Sequence, residues 1–380
     1  MRTDIHVLLI SDQATPNITP LLDPALRPAE IALVTSPDKA RQAEWLEQAL
    51  QDTGIRSSRI AIGDAWDLPA ITDTLLDWLS NQTGKTVALN VTGGTKLMSI
   101  AAYEVFRGDD RPIYYIHPDH DRLIWLAPAG LPSQNLADRI KLPRFLAAHG
   151  AAVIGQGSRW GVPDQLRKVT ENLVLNIESL APWLGTLNHL AQTAEKSLVS
   201  EALPSGMPDH PSFQALLRKF ADVGVLQERS DGRVAFSDET GRFFVNGGWL
   251  EDHLYGVCLN LKKELAIQDI ARGLVVERKT GTGTVTNEID VALLKDNRLH
   301  VVECKTRTFI GANSRDNGAD TLYKLDSLTD LLGGLKAKAL LVSYKRLRPA
   351  DLQRAADLRI EVCQGNRLRE LPALLRRWIR

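Results

Sequence analysis

The residues best suited to chemistry fall in two short runs, Asn287-Glu288-Ile289-Asp290-Val291 and Val301-Val302-Glu303-Cys304-Lys305. Alternate side chains of an extended strand share a face, so Glu303 and Lys305 project together while Val302 and Cys304 turn to the core. Asp296-Asn297 has the composition of a two-residue hairpin loop, which pairs Lys295 with Arg298. That register sets Asp290 opposite Glu303 and Glu288 opposite Lys305. Like charges facing each other across a sheet are destabilising unless a cation lies between them. Mg²⁺ or Mn²⁺ on one or two carboxylates keeps positions open for water and a phosphate oxygen, as metal-assisted phosphodiester hydrolysis requires. Lys305 would then stabilise charge developing on the phosphorus oxygens or orient the attacking water. The plainer alternative is a surface hairpin with ordinary salt bridges.

Those strands need a frame. After Gly247-Gly248 the spacing of Leu250, Leu254, Val257, Cys258, Leu261 and Leu265 predicts a helix, and Glu251 borders its apolar stripe, where it can complete the acidic site. GLVVERKT, TNEIDVALLK and RLHVVECKT read as strands. A polar loop, the helix TLYKLDSLTDLLGG and the strand AKALLVSY follow, which outlines an α/β domain. Asp290 followed by Glu303-Cys304-Lys305 resembles the PD-(D/E)xK restriction-endonuclease-like superfamily, with Glu251 on a preceding helix and Tyr323-Lys324 on a following one. Ile289 stands where the superfamily's name has proline. The resemblance implies a metal site of Asp290, Glu303 and Glu251, with Lys305 as the fourth catalytic residue.

The first 150 residues alternate apolar runs (IHVLLIS, EIALVTS, TVALNVTGG) with helical patterns, the rhythm of parallel βα units, and RPIYYIH and RLIWLAP around the turn-forming PDHD predict a closing hairpin. Thr92-Gly93-Gly94-Thr95-Lys96 ends a strand and opens a helix, so backbone N–H groups and a positive dipole end could receive an anion there. The spacing is not that of a Walker loop, and a tight βα connection remains the alternative. Ser11 to Asn17 follows the first strand and belongs at the same carboxyl edge. Together the two segments resemble the CARF domain, the Rossmann-like sensor of cyclic oligoadenylate in type III CRISPR systems. By that resemblance Ser11, Gln13, Thr15, Asn17, Thr35, Ser36 and Lys39 line the ligand pocket beside Thr92, Gly93, Gly94, Thr95 and Lys96.

Sensor plus nuclease resembles the cyclic-tetraadenylate-activated ancillary nucleases of type III CRISPR systems. That resemblance implies a homodimer with the two-fold symmetric ligand across paired CARF domains, and a substrate of single-stranded RNA, DNA or both. The expected organisation is a CARF sensor (1–150), a connector with a winged-helix-like element (151–245) and a nuclease domain (246–380). In the connector, prolines 163, 182, 204, 208 and 211 punctuate a polar, helical stretch, and residues 212–245 read as a helix and a hairpin turning at Ser-Asp-Gly, either a spacer or a duplex reader. The rivals are a nucleotide-responsive DNA-binding transcription regulator with an inactive nuclease fold, and a stand-alone nuclease that needs no activator.

Composition bounds these readings. The length of 380 residues suits two or three domains, and 44% hydrophobic content supplies their cores. No run approaches the ~20 apolar residues of a membrane helix and the opening residues lack a signal core, so no membrane partner and a cytoplasmic location are expected. Cys258, Cys304 and Cys363 form no CxxC pair and read as buried thiols. Residues 333–380 carry 12 Lys and Arg against 4 Asp and Glu, an excess of 12 − 4 = +8. That excess fits either a polyanion surface, with Lys324 guiding a phosphate backbone, or an amphipathic solvated face.

Overall fold

The computed structural model describes all residues except 1, 118–120, 204–209, 282 and 307–317. Residues 118–120 of the PDHD turn, Pro204, Pro208 and most of the polar loop after Lys305 therefore lie outside the described residues.

The first sheet comprises β1 (Ile5–Leu9), β2 (Glu30–Thr35), β3 (Arg56–Ala61), β4 (Val87–Asn90), β5 (Ile113–His117), β6 (Arg122–Ala127) and β7 (Gln134–Asn135), ordered β3-β2-β1-β4-β5-β6-β7. β1 to β5 are parallel, and the expected β5–β6 hairpin is antiparallel. The helices are α1 (Thr15–Leu22), α2 (Ala40–Leu50), α3 (Leu68–Ser80) and α4 (Lys96–Gly108). β1 is buried on both faces: Val7 and Leu9 pack with α3 and α4, Leu8 with α1 and α2. Strand order reverses between β1 and β4, so the loops leaving their carboxyl ends flank the crevice where such sheets bind ligands.

α5 (Leu142–Ala148) leads to β8 (Ala151–Gly155), then α6 (Asp164–Leu175) and α7 (Ile177–Thr193). The stretch read as polar connector thus opens with a strand, and β8 is the edge of the second sheet through antiparallel pairing with β11. The small element is α8 (Pro211–Ala221), β9 (Leu226–Glu228), β10 (Val234–Phe236) and α9 (Glu239–Phe243), with its hairpin turning at Gly232, φ +72. Next come α10 (Trp249–Leu261), β11 (Asp269–Thr280), β12 (Gly283–Lys295), β13 (Arg298–Lys305), α11 (Gly318–Gly333), β14 (Lys338–Ser343), α12 (Pro349–Asp357), β15 (Ile360–Gln364) and α13 (Leu371–Ile379).

The second sheet, ordered β15-β14-β13-β12-β11-β8, is mixed: β13, β14 and β15 are parallel, the rest antiparallel. One face packs on α10, α13 and the small element through Leu250, Leu254, Leu371 and Phe220. The other packs on α5 and α11, and its apolar cluster continues into Leu8, Ile18 and Leu46 of the first domain, so the two sheets share a core.

The three cysteines are buried free thiols. Arginines of the basic C-terminal run are ion-paired, Arg376 to Glu264 at 2.7 Å, Arg348 and Arg354 to Asp351 at 2.8 and 3.0 Å. α13 at the end of this run buries an apolar side, and Lys324 is exposed on α11. Among the described residues no helix is long and apolar enough to cross a membrane.

Candidate functional site

Asp296 and Asn297 both adopt positive φ, 48° and 52°, the geometry of a two-residue turn that matches strand twist. The register is as expected from Lys295↔Arg298 to Val291↔Val302, and there the ladder stops. The anticipated facing pairs Asp290:Glu303 and Glu288:Lys305 do not form. The Asp290 carboxylate instead accepts the Cys304 N–H at 2.6 Å, so a side chain replaces the ladder partner. Lys305 Nζ lies 2.7 Å from Glu303 Oε1, so these two do share a side, and Glu288 pairs through its backbone with Val275 of β11.

The departure has a local cause. Ile289 and Ala292 belong to the core on the α11 side, Val291 and Leu293 to that on the α10 side, so the alternation slips by one at Asp290. Opposite that point β11 has Gly273 at φ +61, between the pairs Arg272↔Val291 and Leu274↔Ile289. The paired irregularity splays β12 from β13 where the acids lie.

Glu251 reaches this opening through a kinked turn, Phe244–Gly248, that joins α9 to α10. A Cβ at Gly247 (φ +115) would stand 2.1 Å from Thr306 Oγ1, and one at Gly248 would stand 2.5 Å from the Phe243 ring. Gly247 therefore lets the start of α10 approach the residue following Lys305, and Gly248 lets it pack on Phe243. Burial first, then the charges of Asp290, Glu288 and Glu303, pushes the Glu251 carboxyl well above the usual range. Burial and then Glu303 do the same to Asp290. Four carboxylates are thus within electrostatic reach. Among the described residues, however, no three His, Cys, Asp or Glu side chains close around one point as a finished metal cage. Asp290 is turned to Cys304 and Glu303 to Lys305, while the all-oxygen donor set and the buried like charges suit a hard divalent cation. Sequence reading passed over Arg272, which pairs with Asp252 and stands 5.7 Å over the Tyr255 ring. A cation inside the otherwise apolar run of residues 270–276 was the available signal.

In the first domain a cavity of about 580 Å³ opens at the carboxyl ends of β1 and β4. Ser11, Ser36, Lys39, Gly94 and Thr95 of the expected residues line it. Lys39 Nζ sits 2.9 Å from both carboxylate oxygens of Asp12. Thr95 caps α4, accepting from Met98 N at 3.1 Å. Gly94 holds φ +73. Gly93 lies behind the wall, where a Cβ would come 2.1 Å from the Leu9 carbonyl oxygen.

The other expected residues do not line this cavity. Asn17 is buried, donates to Leu9 O at 3.0 Å and accepts from Asn90, clamping α1 to the sheet. Thr35 donates to Leu33 O, Thr92 ties Asn90 to Ile116 N, and Thr15 accepts from Thr19 within α1. Lys96 is exposed on the first turn of α4. Gln13 turns into the second domain, its amide oxygen 2.8 Å from where a Gly334 Cβ would stand. Sequence reading missed Asp64 and Trp66, contributed by the loop after β3; Trp66 is 69% exposed at the rim.

A Rossmann-like sheet with a ligand crevice, sharing its core with a mixed sheet that gathers carboxylates and a lysine, defines a sensor domain built onto a hydrolase domain. Comparison with known families agrees: residues 5–143 match the Card1 CARF domain and residues 238–380 the Card1-like endonuclease domain. Protein VC1899 from Vibrio cholerae is 31% identical with a TM-score of 0.89, over 99% of this chain and 97% of that one. Can2 from Sulfobacillus thermosulfidooxidans, solved with cyclic tetra-adenylate, is 27% identical with a TM-score of 0.82, over 99% of each. A type III CRISPR defence DNA nuclease activated by cyclic oligoadenylate shares the fold at 19% identity and a TM-score of 0.58, over 92% of this chain and 47% of its own. No curated protein matches the sequence significantly. The chain belongs to the Card1-like family of CARF-domain endonucleases.

Proposed function

We propose that this protein is a metal-dependent endonuclease of type III CRISPR defence, of PD-(D/E)xK type, which cuts single-stranded RNA, DNA or both when cyclic tetraadenylate occupies the CARF crevice of a homodimer. The observation that carries the reading is the meeting of Asp290, Glu303, Lys305 and Glu251 at the splayed end of one hairpin. Asp290, Glu303 and Glu251 would hold Mg²⁺ or Mn²⁺, which when bound polarises a phosphate oxygen and activates water. Lys305, steered by Glu303, places positive charge beside the oxygens on which negative charge develops. β12 and β13 carry Asp290, Glu303 and Lys305 while α10 carries Glu251, and the ligand switches activity only by binding the competent arrangement more tightly. The ligand named for Can2 supports the choice of activator.

The direct test incubates the purified protein with Mn²⁺ and labelled single-stranded RNA and DNA, with and without cyclic tetraadenylate. Cutting that rises with ligand supports the proposal. Equal cutting in both lanes would remove gating, and duplex binding without cutting would favour the regulator.

The raised carboxyls give a pH signature. Groups whose folded pKa exceeds the unfolded value near ~4 keep protons that the unfolded chain releases, so metal-free stability falls as pH climbs above that range. A divalent cation needs the ionised forms, so its stabilising effect must grow with pH over the same window. Thermal unfolding between about pH 5 and 8 should show a Mn²⁺-induced rise in Tm that increases with pH and flattens in Glu251→Gln. A pH-independent shift would detach these acids from the ion.

Trp66 offers an exposed aromatic face at the crevice rim. Base stacking on such a face predicts that Trp66→Ala raises the activator concentration for half-maximal cutting by roughly tenfold, with the plateau retained. An unchanged activation curve would place the adenine elsewhere.

A further inference from the structure

Beside the acids is a second cavity, of about 340 Å³, whose walls come from both the nuclease sheet and the small α8–α9 element. Glu251, Glu288 and Arg272 line it together with Phe243 and Thr240 of α9 and Ser237. We propose that this cavity is a nucleobase subsite, in which a base splayed from a single-stranded substrate stacks on Phe243 next to the scissile phosphate. The inference rests on the endonuclease reading and goes beyond it by giving the small element a part in substrate binding.

Charge decides which part of a nucleotide enters. Arg272 is paired with Asp252, so the acidic side chains of Glu288 and Asp238 on the wall do not have this cation to themselves and disfavour a phosphate group. A base is neutral, carries N–H donors toward carboxylates and hydroxyls, and has a π-face that suits an aromatic wall. Phe243 is 47% exposed, although its ring packs over Gly248, so one edge of it is held while the rest faces outward. The volume lies at the small end of the range for ligand pockets, enough for one nucleotide unit and too small for a stacked pair of strands. A duplex would have to unstack to use it, which selects single strands. The element read as a spacer or duplex reader thus serves as a wall of the cleft.

The experiment compares a single-stranded oligonucleotide with an abasic oligomer of equal length in the activated, Mn²⁺-loaded protein, using wild type, Phe243→Ala and Phe243→Tyr. Wild type should prefer the base-bearing oligomer. Phe243→Ala should shrink that preference about tenfold, mainly through KM, and Phe243→Tyr should retain it. An equal loss on both oligomers, with the preference intact, assigns Phe243 to positioning α10 and overturns the subsite, as does a preference unchanged in all three proteins. If wild type cuts neither oligomer, the endonuclease reading has failed. Anisotropy titration of the same oligomers then decides the subsite by the same ratio, a base preference lost in Phe243→Ala supporting it and no preference refuting it.

Discussion

Replacing Glu303 by alanine should lower ligand-activated cutting by on the order of 10³ or more, about 4 kcal/mol of lost transition-state stabilisation, with the protein still folded and still able to bind its activator. Glu303 lies beyond the last β12 pair but pairs through its backbone with Leu341 of β14, so truncating the side chain removes a carboxylate and leaves the ladder bonds in place. It also removes the carboxylate that stands 2.7 Å from Lys305 Nζ, and the two changes reinforce each other. Asp290→Asn separates charge from architecture at the neighbouring acid. The amide oxygen can still accept the Cys304 N–H that the carboxylate accepts at 2.6 Å, so the hairpin survives and only the ionic donor is lost. Circular dichroism and an activator-binding titration establish that both variants are intact, and a single-turnover cleavage assay reads the effect. Cutting within tenfold of wild type in Glu303→Ala would remove these residues from the chemistry.

Where that site could be read in advance, short-range backbone chemistry made it readable. Asp296-Asn297 tolerates two successive positive φ angles, which fixes a two-residue turn, and the turn fixes the register of every pair up to Val291↔Val302. The extrapolation failed one residue later, because the period-two rule assumes unbroken alternation and nothing in Ile289-Asp290-Val291 announces the slip that Gly273 on the neighbouring strand accommodates. The crevice was legible as a whole, since loops after β1 and β4 must flank the reversal of strand order. Its individual residues were not. Ser11 faces the cavity, while Gln13, two positions on, meets Gly334 of the other domain. Trp66 lies in a loop with no glycine-rich turn to mark it. β8 was hidden because its pairing strand is more than a hundred residues away, and the basic tail was ambiguous because ion pairs such as Arg376 with Glu264 are equally non-local.

Gly247→Ala should cost at least ~10²-fold in activated cutting and lower Tm, although residue 247 touches no substrate in the proposed mechanism. Two independent penalties apply. A φ of +115° lies outside what an L side chain readily adopts, and a Cβ there would stand 2.1 Å from Thr306 Oγ1 and 2.9 Å from Thr306 Cβ. Thr306 cannot yield easily, since its carbonyl accepts from Asn188 Nδ2 at 3.2 Å and it directly follows Lys305 at the end of β13. The helix must move instead, and with it Glu251, four residues along, which loses its approach to Asp290; a displacement near 1 Å suffices for a hundredfold loss. Thr306→Gly in the Gly247→Ala background removes the collision and leaves the backbone strain, so partial recovery of cutting is expected, with Tm still below wild type. Activator affinity, measured by titration, should be nearly unchanged in the single variant, because the crevice lies in the other domain. Full cutting by Gly247→Ala would mean that Glu251 need not be held at the hairpin, and the acidic site would then reduce to Asp290 and Glu303.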